Sequence, residues 1–287
     1  MTCQIYFALI YCKEVIMYDF FAFTAWPMTP PENYGPFHLC FLIFGMAACV
    51  ALAWLFRKST EKQNNIILLS VSAFLLVSEI YKQLFYTFYL GGGVYQWWIF
   101  PFQLCSVPMY ICLIVPFIRS ERVKGYFYTF LATYNLLGGF VAMFEQSGLS
   151  HEYITLTLHA YIWHLSLVFV GFYLIASGRA AKRIRDYLPA IGVFAGLCII
   201  AQTINISFHH AKWLELVPAD QDLKMFYISP YYTTPLIVFK QIEQACGWLV
   251  NAFVYCFAQT LGGFVFLVVG LLIKGRLGKR AKKQISA

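Results

Sequence analysis

Charged residues are scarce in this chain. Only 12% of its 287 residues are charged and 60% are hydrophobic, with 28 phenylalanines and 20 tyrosines. Soluble domains carry about 25% charged residues, so the composition indicates a membrane protein rather than a soluble one. The net charge of +8 does not point to nucleic acid. The basic residues cluster at the ends of apolar segments, where they meet anionic lipid head groups at the cytoplasmic face.

Paired metal and disulfide motifs are missing too. The nine cysteines stand singly, with no C-x-x-C pair, which argues against a disulfide framework and a zinc ribbon. The His209-His210 pair has no supporting ligand spacing, so no metal and no cofactor is expected. The last apolar segment has no lysine before Lys274, which excludes a retinal-type Schiff base there. No internal repeat is visible, which weakens an inverted-repeat transporter interpretation.

The N-terminus shows no cleavable signal. Residues 1–16 hold a short apolar run without a basic start or a small-residue cleavage site, so they do not fit a signal peptide. Met17 is an equally good start, and residues 1–16 are assigned no structural role.

Seven apolar stretches follow, each near or above the roughly 20 residues that an α-helix needs to cross a bilayer. Their predicted bounds are Phe37–Phe56, Ile66–Leu90, Trp98–Ile118, Tyr126–Phe144, Tyr153–Ser177, Leu188–Ser207 and Trp248–Ile273.

Basic residues between these stretches fall on alternate connections. Lys and Arg number sixteen in 57–65, 119–124, 178–187 and 274–287, against four in the other connections and the N-terminal segment. The positive-inside rule places the first group in the cytoplasm. The sequence therefore predicts an all-α, seven-helix bundle that spans the cell membrane several times, with the N-terminus outside and the C-terminus inside.

The chain divides into three predicted regions. Residues 1–36 form an external segment, 37–275 a seven-helix membrane domain, and 276–287 a basic cytoplasmic tail. Most connections are short, but the external loop 208–247 has its own turns and apolar run, as expected of a lid or interfacial cap. Membrane lipids are the expected partners, and no soluble partner is predicted.

Polar side chains inside the spans share one depth. Glu79, Lys82 and Gln83 fall on one face of the second span, and other polar groups lie in later spans: Asn135, His159, His164 and Asn205. At 1.5 Å per residue, nearly all fall in the outer half of the bilayer. Because intramembrane polar groups are costly and usually functional, we expect them to line a polar cavity open to the outside. An internal ion pair and packing contacts remain the alternative.

The third span has the most unusual sequence. It reads Pro101-Phe-Gln-Leu-Cys105-Ser-Val-Pro108, and Pro108 cannot donate a hydrogen bond to the carbonyl of Leu104. We therefore expect a locally loosened helix with Cys105 facing the cavity. A neighbouring imidazole would activate the thiol as a nucleophile. The alternative is a buried, inert cysteine beside a kink.

These residues resemble a known family. Pro101-Phe-Gln-Leu-Cys105-Ser is similar to the Pro-Leu-(His/Gln)-Leu-Cys segment of the YwaF family of bacterial integral membrane proteins. Further matching segments, in the same order, are Phe37-His38, Glu79, the aromatic run ending in His164, Met225-Phe226-Tyr227-Ile-Ser-Pro230, and Gly247-Trp248. Two departures are Leu165, where the family has Gly, and Lys224-Met225, where it has Asn-Tyr.

The YwaF family is related to transmembrane protein 164, a eukaryotic acyltransferase that moves acyl chains between lipids through a cysteine. The resemblance implies that Cys105 is the nucleophile and His164 its partner, with Glu79 orienting the imidazole. Depth alone favours His159, and the two histidines lie about 140° apart around a helix, so both are not expected to face one point. We follow the resemblance and keep His159 as the second choice.

The sequence thus predicts acyl transfer, or acyl-ester hydrolysis, on lipids through a cysteine thiolate. Five further residues are predicted to bind substrate: Lys82, Gln83, Asn135, His159 and Asn205. Two alternatives stay open, a small-molecule or ion transporter that uses the Glu79/Lys82 face, and a non-catalytic membrane protein.

Overall fold

The structure, a computed structural model, describes residues 16–145 and 148–285, with side chains up to residue 275. This part of the chain is helical and has no β-strand; one isolated β-bridge joins Pro27 and Tyr153. The helices are α1 (16–24), α2 (Pro36–Phe56), α3 (Glu61–Leu90), α4 (Val107–Phe117), α5 (Glu121–Phe144), α6 (Ile154–Ala176), α7 (Ile184–Trp213), α8 (Ile237–Cys246) and α9 (Trp248–Ile285).

Six of the described helices are long and apolar enough to cross a membrane: α2, α3, α5, α6, α7 and α9. The predicted third span is not a continuous helix. A short 3₁₀ turn at Trp97–Ile99 leads into irregular backbone, and α4 covers only Val107–Phe117. At 1.5 Å per residue that is about 16 Å, half of a bilayer core. The prediction of seven full spans is therefore not confirmed.

Proline explains why α4 is short. Pro108 lies in the first turn of α4, where its missing N–H is not needed and its fixed φ suits a helix start. The prediction of a locally loosened turn within one longer helix was wrong, because Pro108 begins the helix instead of interrupting it. Cys105 consequently lies just ahead of the helix N-terminus.

Helix α6 packs against α2, α3 and α5 and so has a central position. Close approach between α5 and α6 depends on small residues. A Cβ atom built on Gly139 would lie 3.0 Å from the His164 carbonyl oxygen, and one on Gly171 would lie 2.6 Å from Leu136 Cβ. Small residues allow membrane helices this proximity, and here they fix the height of His164 against α5.

The basic connections meet at one end of the bundle. The Lys124 ammonium lies 2.9 Å from the Glu61 carboxylate and 2.8 Å from that of Glu121. Arg179 donates a hydrogen bond to the Ser59 carbonyl oxygen. The loops 57–60, 119–124 and 178–187 are thereby joined at this end.

At the opposite end, the connection between α7 and α9 is shorter than predicted. α7 continues to Trp213 and α8 occupies Ile237–Cys246, so the irregular part is 214–236. The Asn205 side-chain amide holds this segment, donating to the Met225 carbonyl oxygen at 3.2 Å and accepting from the Met225 amide at 2.7 Å. The segment is fixed against α7 and lies over the cavity described next.

Candidate functional site

A cavity of about 730 Å³ lies at the end of the bundle that holds the segment 214–236. Its wall is formed by α3, the irregular stretch 96–106, the loop 148–151, α6 and residues 220–227. It brings together five of the predicted site residues: Glu79, Lys82, Cys105, His159 and His164. These five residues, which the sequence placed at a similar depth in the membrane, thus line one cavity.

Cys105 reaches this cavity from irregular backbone. Its side chain is partly accessible, and its carbonyl oxygen accepts a 3.0 Å hydrogen bond from the Trp163 indole. The Tyr110 hydroxyl donates to the Pro101 carbonyl oxygen. Side chains thus satisfy backbone groups that a continuous helix would have paired, as an apolar setting requires. Cys105 lies two residues ahead of Val107, the first residue of α4.

The two histidines of α6 both line the cavity, although the sequence argument expected them to diverge. The cavity is wide enough to be reached from two sides of α6, so the two rings line it without facing one point. His159 packs on the ring of Trp163, with 5.3 Å between ring centroids. His164 Nδ1 lies 2.8 Å from the Ala160 carbonyl oxygen. A carbonyl only accepts, so Nδ1 carries the proton and Nε2 of the neutral ring remains a free base.

Glu79 and Lys82 form an ion pair on α3, in which Glu79 is buried and the Lys82 side chain is 20% exposed. The Lys82 ammonium lies 2.8 Å from Glu79 Oε1, and Gln83 Nε2 donates to the same oxygen at 2.6 Å. Glu79 Oε2 is buried without a hydrogen-bond partner. Within the described part of the chain, no hydrogen bond joins Glu79 to either histidine. The Ala160 carbonyl orients His164 instead.

The Lys82 ammonium acts on three groups of this site. It interacts electrostatically with the Cys105 thiol and with the imidazoles of His159 and His164. Glu79 also interacts with the thiol. The electrostatic potential at the Cys105 sulfur therefore depends on both charges of the Glu79–Lys82 ion pair.

Three predicted binding residues do not line the cavity. Asn135 is buried between helices, and its amide donates to the Leu131 and Leu167 carbonyl oxygens. Asn205 holds the Met225 backbone. Gln83 supports Glu79 and donates to the Ile99 carbonyl oxygen. In this structure all three side-chain amides form hydrogen bonds with other groups of the protein.

Sequence reasoning missed three residues of the site. Trp163 holds the Cys105 carbonyl, Gln103 bonds to the backbone around 224–226, and Tyr227 lines the cavity. An indole N–H inside a span must find a partner, which could have singled out Trp163. Tyr227 lies in a segment that resembles the family, but the resemblance gave this residue no role, and nothing local indicates where a long loop folds.

Comparison with known proteins agrees with this picture. No curated protein and no solved structure matches the chain. The sequence model of the TMEM164 family matches residues 33–242, well over half of the chain, and the match includes every predicted site residue. Together with the six apolar helices, it identifies a multi-pass membrane protein. The chain therefore belongs to the TMEM164 family.

Proposed function

We propose that this protein is a membrane-embedded enzyme that transfers acyl chains between lipids, or hydrolyses their esters, through the thiolate of Cys105. The observation that carries the proposal is the shared cavity of Cys105 and His164. The thiol lies before a helix N-terminus, and the imidazole has its Nδ1 proton held by a carbonyl and its Nε2 free. A nucleophile and a base are thereby present in one water-accessible space within a membrane domain.

In the first half-reaction, His164 Nε2 takes the proton of the Cys105 thiol. The thiolate attacks the carbonyl carbon of a lipid acyl ester, forming the S–C bond. The tetrahedral intermediate collapses with cleavage of the C–O bond, and the departing lipid alkoxide takes the proton from the imidazolium. The products are an acyl-cysteine and a lipid hydroxyl, with the histidine neutral again.

In the second half-reaction, a lipid hydroxyl or water gives its proton to Nε2 and attacks the thioester carbonyl. The new C–O bond forms, the S–C bond breaks, and the thiolate recovers its proton from the imidazolium. A thiol suits both steps because it is a stronger nucleophile than a serine hydroxyl at neutral pH, and its ester remains reactive toward an alcohol. Neither half-reaction as written uses a cofactor.

The cavity wall suits an amphipathic substrate. Trp98, Ile99 and Phe100 offer apolar surface. Lys82 and Lys224 offer ammonium groups, beside the carboxylates of Glu79, Asp220 and Asp222. An acyl chain fits the apolar part, and a lipid phosphate fits the ammonium groups. In this proposal Lys82 serves substrate binding, with Gln83 holding its counter-ion Glu79. Asn205 contributes to binding indirectly, because it holds the loop that covers the cavity. Asn135 contributes by fixing the position of α6.

The test is the formation of an acyl-enzyme. The full-length protein in lipid nanodiscs is given a phospholipid with an isotopically labelled acyl chain, and intact mass and hydroxylamine sensitivity report a thioester at Cys105. Cys105→Ser and His164→Asn should lower turnover by at least about 10³-fold, as loss of a nucleophile or its base does. The same measurement on His159→Asn tests whether the second histidine contributes to turnover.

Cys112→Ser is the matched control. Cys112 is fully buried in α4 and is not part of the cavity wall, so its loss should leave acylation intact. Unchanged lipid turnover in Cys105→Ser would refute the enzyme proposal.

A transporter is the second candidate, and the Glu79–Lys82 ion pair on the cavity wall favours it. In proteoliposomes, a transporter would lose solute uptake on Glu79→Gln and keep it on Cys105→Ser. An enzyme would show the opposite sensitivity in lipid turnover.

A further inference from the structure

The segment above the cavity contains an unusual turn. Phe226 and Tyr227 adopt positive φ angles of 55° and 57° in succession. Bulky residues avoid the left-handed region because their Cβ atoms crowd the backbone. Such conformations persist only where the surroundings impose them, and they concentrate at functional sites.

Two side-chain amides impose this turn. Gln103 Nε2 donates to the Lys224 carbonyl oxygen at 2.9 Å, and Gln103 Oε1 accepts from the Phe226 amide at 3.0 Å. Asn205 forms the same kind of pair with both backbone groups of Met225. Gln103 lies two residues before Cys105, so the turn is bonded to the stretch that carries the thiol.

The turn directs Tyr227 into the cavity wall. The ring packs edge-on against Tyr255, with 6.3 Å between centroids, and the side chain lines the same space as Cys105. Among the described residues, none forms a hydrogen bond with its hydroxyl. Burial raises the pKa of Tyr227 to about 12, and the negative charge of a Cys105 thiolate adds to the rise. The hydroxyl is therefore protonated at neutral pH and is a donor.

Two other donors near the thiol are already engaged. The Trp163 indole donates to the Cys105 carbonyl oxygen, and the Gln103 amide donates to the Lys224 carbonyl oxygen. The reaction proposed above places negative charge on the acyl carbonyl oxygen, and this charge needs a preorganised donor.

We propose that the Tyr227 hydroxyl donates the hydrogen bond that stabilises the oxyanion formed when Cys105 attacks an acyl ester. This inference rests on the proposed function. As the S–C bond forms, the carbonyl π electrons move to oxygen, and Tyr227 donates to that oxygen without losing its proton. On collapse the electrons return, the C–O bond breaks, and the leaving alkoxide is protonated by His164.

The test compares two tyrosine variants in the full-length protein in nanodiscs. Tyr227→Phe should lower the single-turnover acylation rate constant about 10²–10³-fold, as removal of one oxyanion donor does, with little change in the apparent KM. Tyr86→Phe is the control. Tyr86 also lines the cavity, with no hydrogen bond to its hydroxyl among the described residues, but no electrostatic interaction links it to Cys105. Its acylation rate should match the wild type.

A second measurement distinguishes an effect of Tyr227 on the oxyanion from an effect on the reactivity of the Cys105 thiol. Alkylation of Cys105 by iodoacetamide forms no oxyanion, so its rate should be the same in Tyr227→Phe and wild type. Acylation at the wild-type rate in Tyr227→Phe would overturn the inference, and so would an equal loss of alkylation, which would assign Tyr227 to the thiol.

The outcomes also separate this inference from the proposed function. If Cys105→Ser retains lipid turnover, the proposed function fails. If the wild type forms the acyl-enzyme and Tyr227→Phe forms it equally fast, only the inference fails. Should Tyr227→Phe not fold, Tyr227→3-fluorotyrosine provides the test. Its more acidic hydroxyl should raise the acylation rate constant, and an unchanged rate would contradict the assignment.

Discussion

The Trp163 indole nitrogen donates a 3.0 Å hydrogen bond to the Cys105 carbonyl oxygen. This bond joins the middle of α6 to irregular backbone just before α4. Both His159 and His164 lie within one turn of Trp163, so a single contact sets the height of the thiol relative to two imidazoles. The bond also satisfies a carbonyl that would otherwise be unpaired in an apolar setting.

Trp163→Phe should therefore destabilise the protein and slow the reaction of Cys105. Leaving a buried carbonyl without a donor costs about 1–3 kcal/mol, and Trp163 is only 4% exposed. Thermal unfolding in detergent and the alkylation rate of Cys105 measure the two effects. Trp213→Phe is the control because Trp213 is 81% exposed. Equal melting temperatures for Trp163→Phe and wild type would show that the bond contributes little.

A pair of adjacent glycines tests the contact between α5 and α6. Gly139→Ala should lower the free energy of unfolding by about 1–3 kcal/mol, the usual cost of overpacking, since its Cβ would lie 3.0 Å from the His164 carbonyl oxygen and from Leu167 Cβ. The added methyl group would also move His164 away from the cavity and slow acylation.

Gly138→Ala is the matched control in the next position. Its Cβ would meet nothing within 4 Å, and alanine is a better helix former by up to about 1 kcal/mol. Gly138→Ala should be neutral or stabilising. A similar loss of stability in both variants would mean that the contact of Gly139 with α6 is not its cause.

Local periodicity made part of the site predictable. Glu79 and Lys82 stand at i and i+3, and the structure pairs them at 2.8 Å. Depth counting along the predicted spans associated Cys105 with the α6 histidines, and all three residues line one cavity, although Cys105 lies on irregular backbone. The apolar runs and the resemblance to a family also predicted a multi-pass membrane protein, which the comparison confirms.

The rest depended on long-range contacts that no local pattern encodes. Hydropathy could not distinguish a full span from Val107–Phe117 preceded by loop, because side chains such as Trp163 and Tyr110 satisfy the irregular backbone from a distance. The sequence predicted Asn205 as a substrate-binding residue, but its side-chain amide donates a hydrogen bond to the Met225 carbonyl oxygen. The left-handed conformation of Tyr227 follows from that fixation, and its own sequence neighbourhood favours no such turn.

His151 provides a prediction on pH. Burial lowers the pKa of this histidine, and the nearby Glu152 carboxylate partly opposes the change. The unfolded chain, with a pKa of about 6.5, binds the proton first as pH falls. The contribution of neutral His151 to stability is therefore present above about pH 6.5 and lost below it. His151→Gln should lose less stability than the wild type between about pH 7.5 and about pH 5.

The measurement is the melting temperature of both proteins across that range. Glu152→Gln is the complementary variant. Without the carboxylate the pKa of His151 should fall further, and stability should drop more steeply on acidification. Parallel curves for His151→Gln and wild type would contradict the assignment.

Orientation in the membrane gives the last prediction. The ion pairs of Lys124 and the contact of Arg179 with Ser59 hold three basic connections at one end of the bundle, so all three must lie on the same side. The cavity is at the other end, with the loop around Gly92 and the segment 214–236. Because basic loops stay in the cytoplasm, reporters inserted at 119–124 and at 178–187 should both read as cytoplasmic. A reporter between Gly92 and Gly93 should read as external, which places the mouth of the cavity, and with it the acyl donor, at the outer leaflet. Opposite signals from the two basic loops would contradict the fold itself. An inverted pattern that is consistent across all three sites would keep the fold and move the substrate to the cytoplasmic leaflet.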